Sequence, residues 1–330
     1  MLLVRWVVLL CVLLAAPLAS AVTVKLATLS PEGSGWMKVL RKHAKVIEKE
    51  SNGEVKFKLY PGGVMGDDKA VLRKMRVGQL HGAVLTAGGL VQAYPDIVIY
   101  NLPLLFNNSE EVDYVRARLD DQLMQTLRTK KFVGFGFAEV GFAYPMTKSP
   151  ATSVAQMRER KVWSPDNDPG ALQAYQAFRI SPIPLPIADV LAGLQTGLID
   201  SIGSPPIGAI ALQWHTQVEY GTELPLIYVY GTLALTERGF KRIPKQYQAL
   251  VERELNAAVK AVDASARADH NSAKQAITNQ GIEWLTPNEV QMEEWLSLAQ
   301  TSRADTVEQG HISRDLYNQV LALLKEARSQ

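Results

Sequence analysis

Apolar and polar residues alternate from Val22 to Leu29, the pattern of a half-buried strand. Trp36, Val39, Leu40, His43 and Ile47 then recur at helical spacing, and Ser51-Asn52-Gly53 supplies the left-handed stop on which helices end. A second alternating run, Glu54 to Tyr60, is closed by Pro61-Gly62-Gly63, and a helical pattern over Asp67 to Val77 leads into the apolar run Leu80 to Thr86. Strand, helix, strand, helix, strand in this order predicts a parallel sheet joined by crossover helices.

The second half repeats the plan. Arg160 to Pro165 predicts a strand, Asp168 to Phe178 a helix, and Ile180 to Pro186 an extended segment, because its prolines forbid a helix. A helix over Ile187 to Leu194, stopped by Gly197, precedes a strand in Leu198 to Gly203. The stretches RVGQLHGAVLTAGG (Arg76 to Gly89) and QTGLIDSIGSPPIG (Gln195 to Gly208) echo each other. Each runs through a short apolar strand into a loop of small residues, the place where open α/β sheets bind ligands. Two lobes, each offering such a loop, would frame a cleft. Leu224 to Glu237, rich in β-branched residues, predicts a strand crossing between the lobes. Tyr247, Leu250, Val251, Leu255, Ala258, Val259 and Val262 mark one face of a helix reaching from Pro244 to Asn279. At 1.5 Å per residue it measures roughly 50 Å, enough to touch both lobes. A short strand in Gly281 to Pro287 and two more helices complete the chain.

Composition narrows the class. A chain of 330 residues with a formal net charge of +2 lacks the basic stripe that a nucleic-acid partner requires. Arg5, the apolar run Trp6 to Ala16 and Ala19-Ser20-Ala21 read as a signal peptide over residues 1–21, cleaved after Ala21, which implies export to the periplasm. The one cysteine, Cys11, lies in that leader behind Leu10, which is too large for a lipidation motif. The remaining chain therefore has no disulfide, thiol nucleophile or thiolate metal site. His43, His81, His215, His270 and His311 show no metal-ligand spacing. Gly134 and Gly136 do not complete a dinucleotide fingerprint, and neither a nucleophile elbow nor a phosphate loop is present. A binding protein without cofactors is the expectation, not an enzyme.

Three stretches then carry a family likeness: SNGEVKFKLYPGGVMGDDKAVLRKMRVGQLHGAVLTAGGL (Ser51 to Leu90), YPDIVIYNLPLLFNNSEE (Tyr94 to Glu111) and PIPLPIADVLAGLQTGLIDS (Pro182 to Ser201). They resemble the dicarboxylate-receptor type of solute receptor in tripartite ATP-independent periplasmic (TRAP) transporters. The resemblance implies a two-lobed periplasmic binding protein, type II-like, with mostly parallel sheets, crossing strands and a long lobe-spanning helix. It also implies hinge closure on a small-molecule ligand and docking on membrane carrier subunits. Lobe I is expected over 22–142 plus about 233–270, and lobe II over 143–232 plus about 271–330.

Receptors of this type carry, after a strand like Arg160-Lys161-Val162, an arginine whose planar fork grips a ligand carboxylate. That position is Trp163 here. A second arginine is replaced by Ala143, after Gly141-Phe142, and a usual acidic position by Gly203. An enclosed carboxylate without a countercharge costs several kcal/mol, whereas tryptophan offers up to ~250 Å² of largely apolar surface and one N–H donor. The expected ligand is neutral and apolar or aromatic, with Trp36, Tyr144, Trp163 and Trp214 as walls, Glu139 and Asp189 as polar contacts, and Gly203 beside them. Within the binding class, one alternative is a carboxylate receptor with its arginine moved to Arg76 or Arg179. Another is a cation stacked on Trp163 beside Asp166, Asp168 or Glu139. A third alternative is an accessory of an efflux or lipid-transfer system.

Overall fold

The computed structural model describes residues 21–166 and 169–329. The expected leader, apart from Ala21, and Asp168 fall outside the described residues. The chain opens with β1 (Val22–Thr28), α1 (Gly35–Glu50), β2 (Val55–Tyr60), α2 (Asp68–Arg76), β3 (Gly82–Thr86), α3 (Ala87–Leu90), α4 (Ser109–Thr129) and β4 (Phe132–Thr147). It continues through α5 (Val154–Arg158), β5 (Trp163–Pro165), α6 (Pro169–Ala177), β6 (Ile183–Leu185), α7 (Val190–Thr196), β7 (Ser201–Ser204), α8 (Pro206–Ala211) and β8 (Tyr220–Thr222). It ends with β9 (Ile227–Thr236), α9 (Glu237–Lys241), α10 (Lys245–Asn279), β10 (Glu283–Leu285), α11 (Glu289–Glu308) and α12 (Arg314–Ala327).

Helix starts follow from side-chain acceptors that satisfy free N–H groups of the first turn. Ser34 accepts from Met37 N on α1, Asp67 from Ala70 N on α2, and Asn108 from Glu111 N on α4. Gly197, at φ +72°, closes α7 in the left-handed conformation that glycine adopts without strain.

The main sheet runs β2-β1-β3-β9-β4-β8-β10, with β7 also on β4; β5 and β6 form a separate pair. It is mixed, which corrects the expectation of mostly parallel sheets. β1 pairs parallel with β2 and β3, β5 with β6, and β8 with β10, whereas β9 is antiparallel to β3 and β4, and β4 is antiparallel to β7 and β8. The cause is topological: β4 leaves the first lobe while β9 returns to it, so neighbours running in opposite directions must pair antiparallel. β4 itself passes from lobe to lobe, pairing with β9 from Phe132 to Ala143 and with β7 from Tyr144 to Thr147. The strand expected to cross, Leu224 to Glu237, is β9, and only the segment leading into it makes the passage. Leu226 N donates there to Ala143 O at 2.9 Å.

Helix α10 links the cores. Its Val251, Leu255, Val259 and Val262 pack with Leu26, Leu40 and Leu233 of the first lobe. Its Ile277 joins Met146, Trp163, Leu194 and Trp214 of the second. The C-terminal segment divides between the lobes. Trp295 and Ala299 of α11 pack with Val154, Val162 and Phe178, but Ile312, Leu316, Val320 and Leu324 lie in the first-lobe cluster with Val112, Leu119 and Leu123. The expected assignment of everything after 271 to lobe II does not describe this packing. An apolar stripe at four-residue spacing on α12 meets the matching stripe of α4.

Candidate functional site

A cavity of about 480 Å³ lies between the lobes and is lined mostly by apolar groups of both. Trp36, Glu139, Ala143 and Tyr230 face it from the first-lobe side, and Trp163, Gly203 and Trp214 from the second, with Ser265, Ala266 and Asp269 of α10 also lining it.

Trp163 is 5% exposed and fixed on three sides. Its Nε1–H donates to Leu185 O at 2.9 Å, its carbonyl accepts from Tyr175 Oη at 2.8 Å, and its ring meets Trp214 edge-on with centroids 5.1 Å apart. The indole therefore offers the cleft an apolar surface and not the donor expected from sequence, because the neighbouring strand takes its N–H. Trp214 opens a 3-10 turn (Trp214–Gln217) and is buried, whereas Trp36, in the first turn of α1, is half-buried. A Cβ added at Gly203 would meet no atom within 4 Å, so this residue leaves open space in the wall.

Two expected contacts lie elsewhere. Tyr144 follows Ala143 on β4, and strand alternation sends it to the opposite face. There its ring lies 5.3 Å from Trp284 and 6.1 Å from His270, with Lys274 Nζ 4.8 Å above it. Burial, then the nearby Glu223 carboxylate, pushes its hydroxyl up to about 12. Asp189 ends a short 3-10 turn, is exposed, and is absent from the cavity wall because its turn presents Ile187 instead.

The charge lining the cleft is uneven. Among the described residues its wall holds five acidic side chains (Asp67, Asp68, Glu139, Asp166 and Asp269), one basic side chain (Lys69) and no arginine. Arg76 and Arg179, the candidates for a moved guanidinium, are exposed and outside the wall. Glu139 is 6% exposed, and burial raises its carboxyl above the usual range despite Arg267 and Tyr228.

Glu139 belongs to a buried polar network that sequence reading missed. Arg116 of α4 donates to Asp263 of α10 at 2.9 and 3.2 Å, to Asp120 at 3.0 Å, to Tyr228 Oη at 3.1 Å and to Phe137 O at 3.1 Å. Asp263 in turn accepts from Glu139 N at 2.8 Å. No local pattern marks a pair 147 positions apart. The α10 contribution to the cleft had one usable signal, the length that lets this helix reach both lobes. Among the described residues, no group of three or more His, Cys, Asp or Glu is placed to hold a metal ion.

Two α/β lobes joined by a through-running strand and a long helix around an enclosed cleft define a two-lobed binding protein. The family model described as "Bacterial extracellular solute-binding protein, family 7" (DctP) matches residues 26–309, and the chain belongs to that family. The family is one of bacterial extracellular solute-binding proteins. A Salmonella typhimurium relative, YiiZ, is 24% identical over 64% of this chain and 66% of its own length. The 2,3-diketo-L-gulonate-binding periplasmic protein YiaO of Escherichia coli is 24% identical over 50% of this chain and 51% of its own length. The chain thus spans between half and two thirds of these relatives. Among solved structures, a sugar acid binding protein from Advenella mimigardefordensis in complex with galactonate superposes with a TM-score of 0.85 at 16% identity, covering 93% of this chain and 99% of that one. A TRAP solute binding protein from Sulfurospirillum deleyianum with bound succinate gives 0.84 at 18% identity, covering 92% and 99%.

Proposed function

We propose that the protein is the periplasmic receptor of a TRAP-type transport system, closing two lobes on a small, neutral, apolar or aromatic solute and handing it to membrane carrier subunits. Lobe I comprises 22–143, about 227–270 and α12; lobe II comprises most of the remainder. Residues 1–21 serve as the export signal, cleaved after Ala21. The solute lies against Trp36, Trp163 and Trp214, beside the space left by Gly203.

One observation carries the ligand class: the wall of the cleft has no arginine among its described residues and an acidic excess, five carboxylates against Lys69. The galactonate and succinate found in the two similar structures are anions. Enclosing such a charge here costs several kcal/mol that no guanidinium offsets. Calorimetry with succinate, galactonate and a panel of neutral aromatic compounds tests the reading. Neutral aromatics are expected to bind, and tight binding of either acid would overturn it.

A further inference from the structure

We infer that Glu139 Oε1 is the polar anchor of the cleft, so that the solute is an apolar or aromatic compound carrying an N–H or O–H donor. This deepens the apolar-solute reading above and rests on it.

The geometry isolates one oxygen. Glu139 stands where the β4–β9 register shifts between Glu139 and Gly141, a bulge that re-aims the strand toward the cleft. Its main chain is fixed through Glu139 N to Asp263. Its Oε2 accepts from Tyr228 Oη at 3.1 Å and lies 3.5 Å from Arg267 Nη2. Its Oε1 accepts no hydrogen bond among the described residues, although the side chain is 5% exposed and lines the cavity. A carboxylate oxygen has room for two donors, and once lobe closure on a solute displaces water from it, leaving it unused is costly. A donor on the solute satisfies it.

The surrounding charge favours a donor over an acceptor. The network around Glu139 contains two guanidiniums, Arg116 and Arg267, and four carboxylates, Asp113, Asp120, Glu139 and Asp263. Both forks are already engaged, Arg267 by Asp113 and Arg116 by Asp263 and Asp120. Neither lines the cavity or is free to grip an anion.

Four compounds with one aromatic body separate the possibilities: the neutral amine N-methylaniline, 2-phenylethanol, ethylbenzene and 3-phenylpropionate, titrated calorimetrically into the chain from Val22 onward. The amine and alcohol are expected to bind at least roughly tenfold more tightly than ethylbenzene. In Glu139→Gln the amide oxygen takes the Tyr228 proton and an NH₂ faces the cleft. That variant is expected to lose the advantage of both donors while ethylbenzene binding stays within about twofold. Ethylbenzene binding as tightly as the donors in the unaltered protein would overturn the anchor and leave the apolar cleft standing. Equal weakening of all ligands in Glu139→Gln would overturn it too, reducing Glu139 to a structural role. Tightest binding by 3-phenylpropionate, or no binding by the other three, would overturn the apolar-solute reading together with the anchor. The comparison in the unaltered protein is decisive even if the variant folds poorly.

Discussion

A tryptophan whose N–H is tied to Leu185 and whose edge meets Trp214 is part of the second lobe's core as well as a wall of the cleft. Trp163→Ala is therefore expected to lower unfolding free energy by about 3–5 kcal/mol, read from urea denaturation. His270 gives a pH signature. Burial, then the Lys274 charge, lowers its imidazole from an ordinary 6.5 to about 4. Between those values the unfolded chain binds the extra proton, so the stabilising contribution is complete above pH 6.5 and is lost as pH falls toward 4. The loss amounts to about 3 kcal/mol. His270→Leu should flatten that part of the stability profile. Gly141 sits at φ +112°, and a Cβ there would run into the His270 ring. Gly141→Ala is expected to cost at least about 1–3 kcal/mol by the same assay. Residue type and family register were enough to pick out Trp163 as a candidate wall. They could not foresee that Leu185 captures its N–H, or that Tyr144 turns away, because both depend on which strand lies alongside and on a register shift between Glu139 and Gly141.

At the scale of elements, β1, α1, β2, α2 and β3 were legible from their apolar patterns, the Ser-Asn-Gly stop after α1, the Pro-Gly-Gly after β2 and the Asp67 cap that starts α2. α10 was equally plain, because Val251, Leu255, Ala258, Val259 and Val262 mark one face of it. The direction of β9 was not legible: its composition says strand, but antiparallel pairing follows from where the chain re-enters the first lobe. The three-residue β8 is too short to carry a pattern at all. The contact of α4 with α10 rests on charge, through Arg116 on Asp263 and Arg267 on Asp113. Arg116→Met leaves the half-buried Asp263 and Asp120 without their partner and is expected to cost about 1–3 kcal/mol in chemical denaturation, less than for a fully buried pair.

For the whole molecule, the repeated strand–helix order announced two lobes, and the length of α10 announced a spine. The lobe that would hold α12 was invisible, because a single amphipathic stripe does not say which of several apolar faces it will cover. Solute binding is expected to reduce the radius of gyration in X-ray scattering by closing the cleft, and the Glu139 donor series should do so in order of affinity. The last helix lies beyond the stretch that the family model matches, which ends at residue 309. α12 is clasped to α4 by Arg328, which grips Glu111 with two bonds of 2.9 Å, and by the stripe Leu316, Val320 and Leu324. The chain thus passes between the halves once more after β4, the segment before β9 and α10. A jaw tied by so many separate straps can swing but hardly swivel. Spin labels placed across the gap should report one narrow hinge coordinate in the intact chain, broadening when the chain is ended at Gln309.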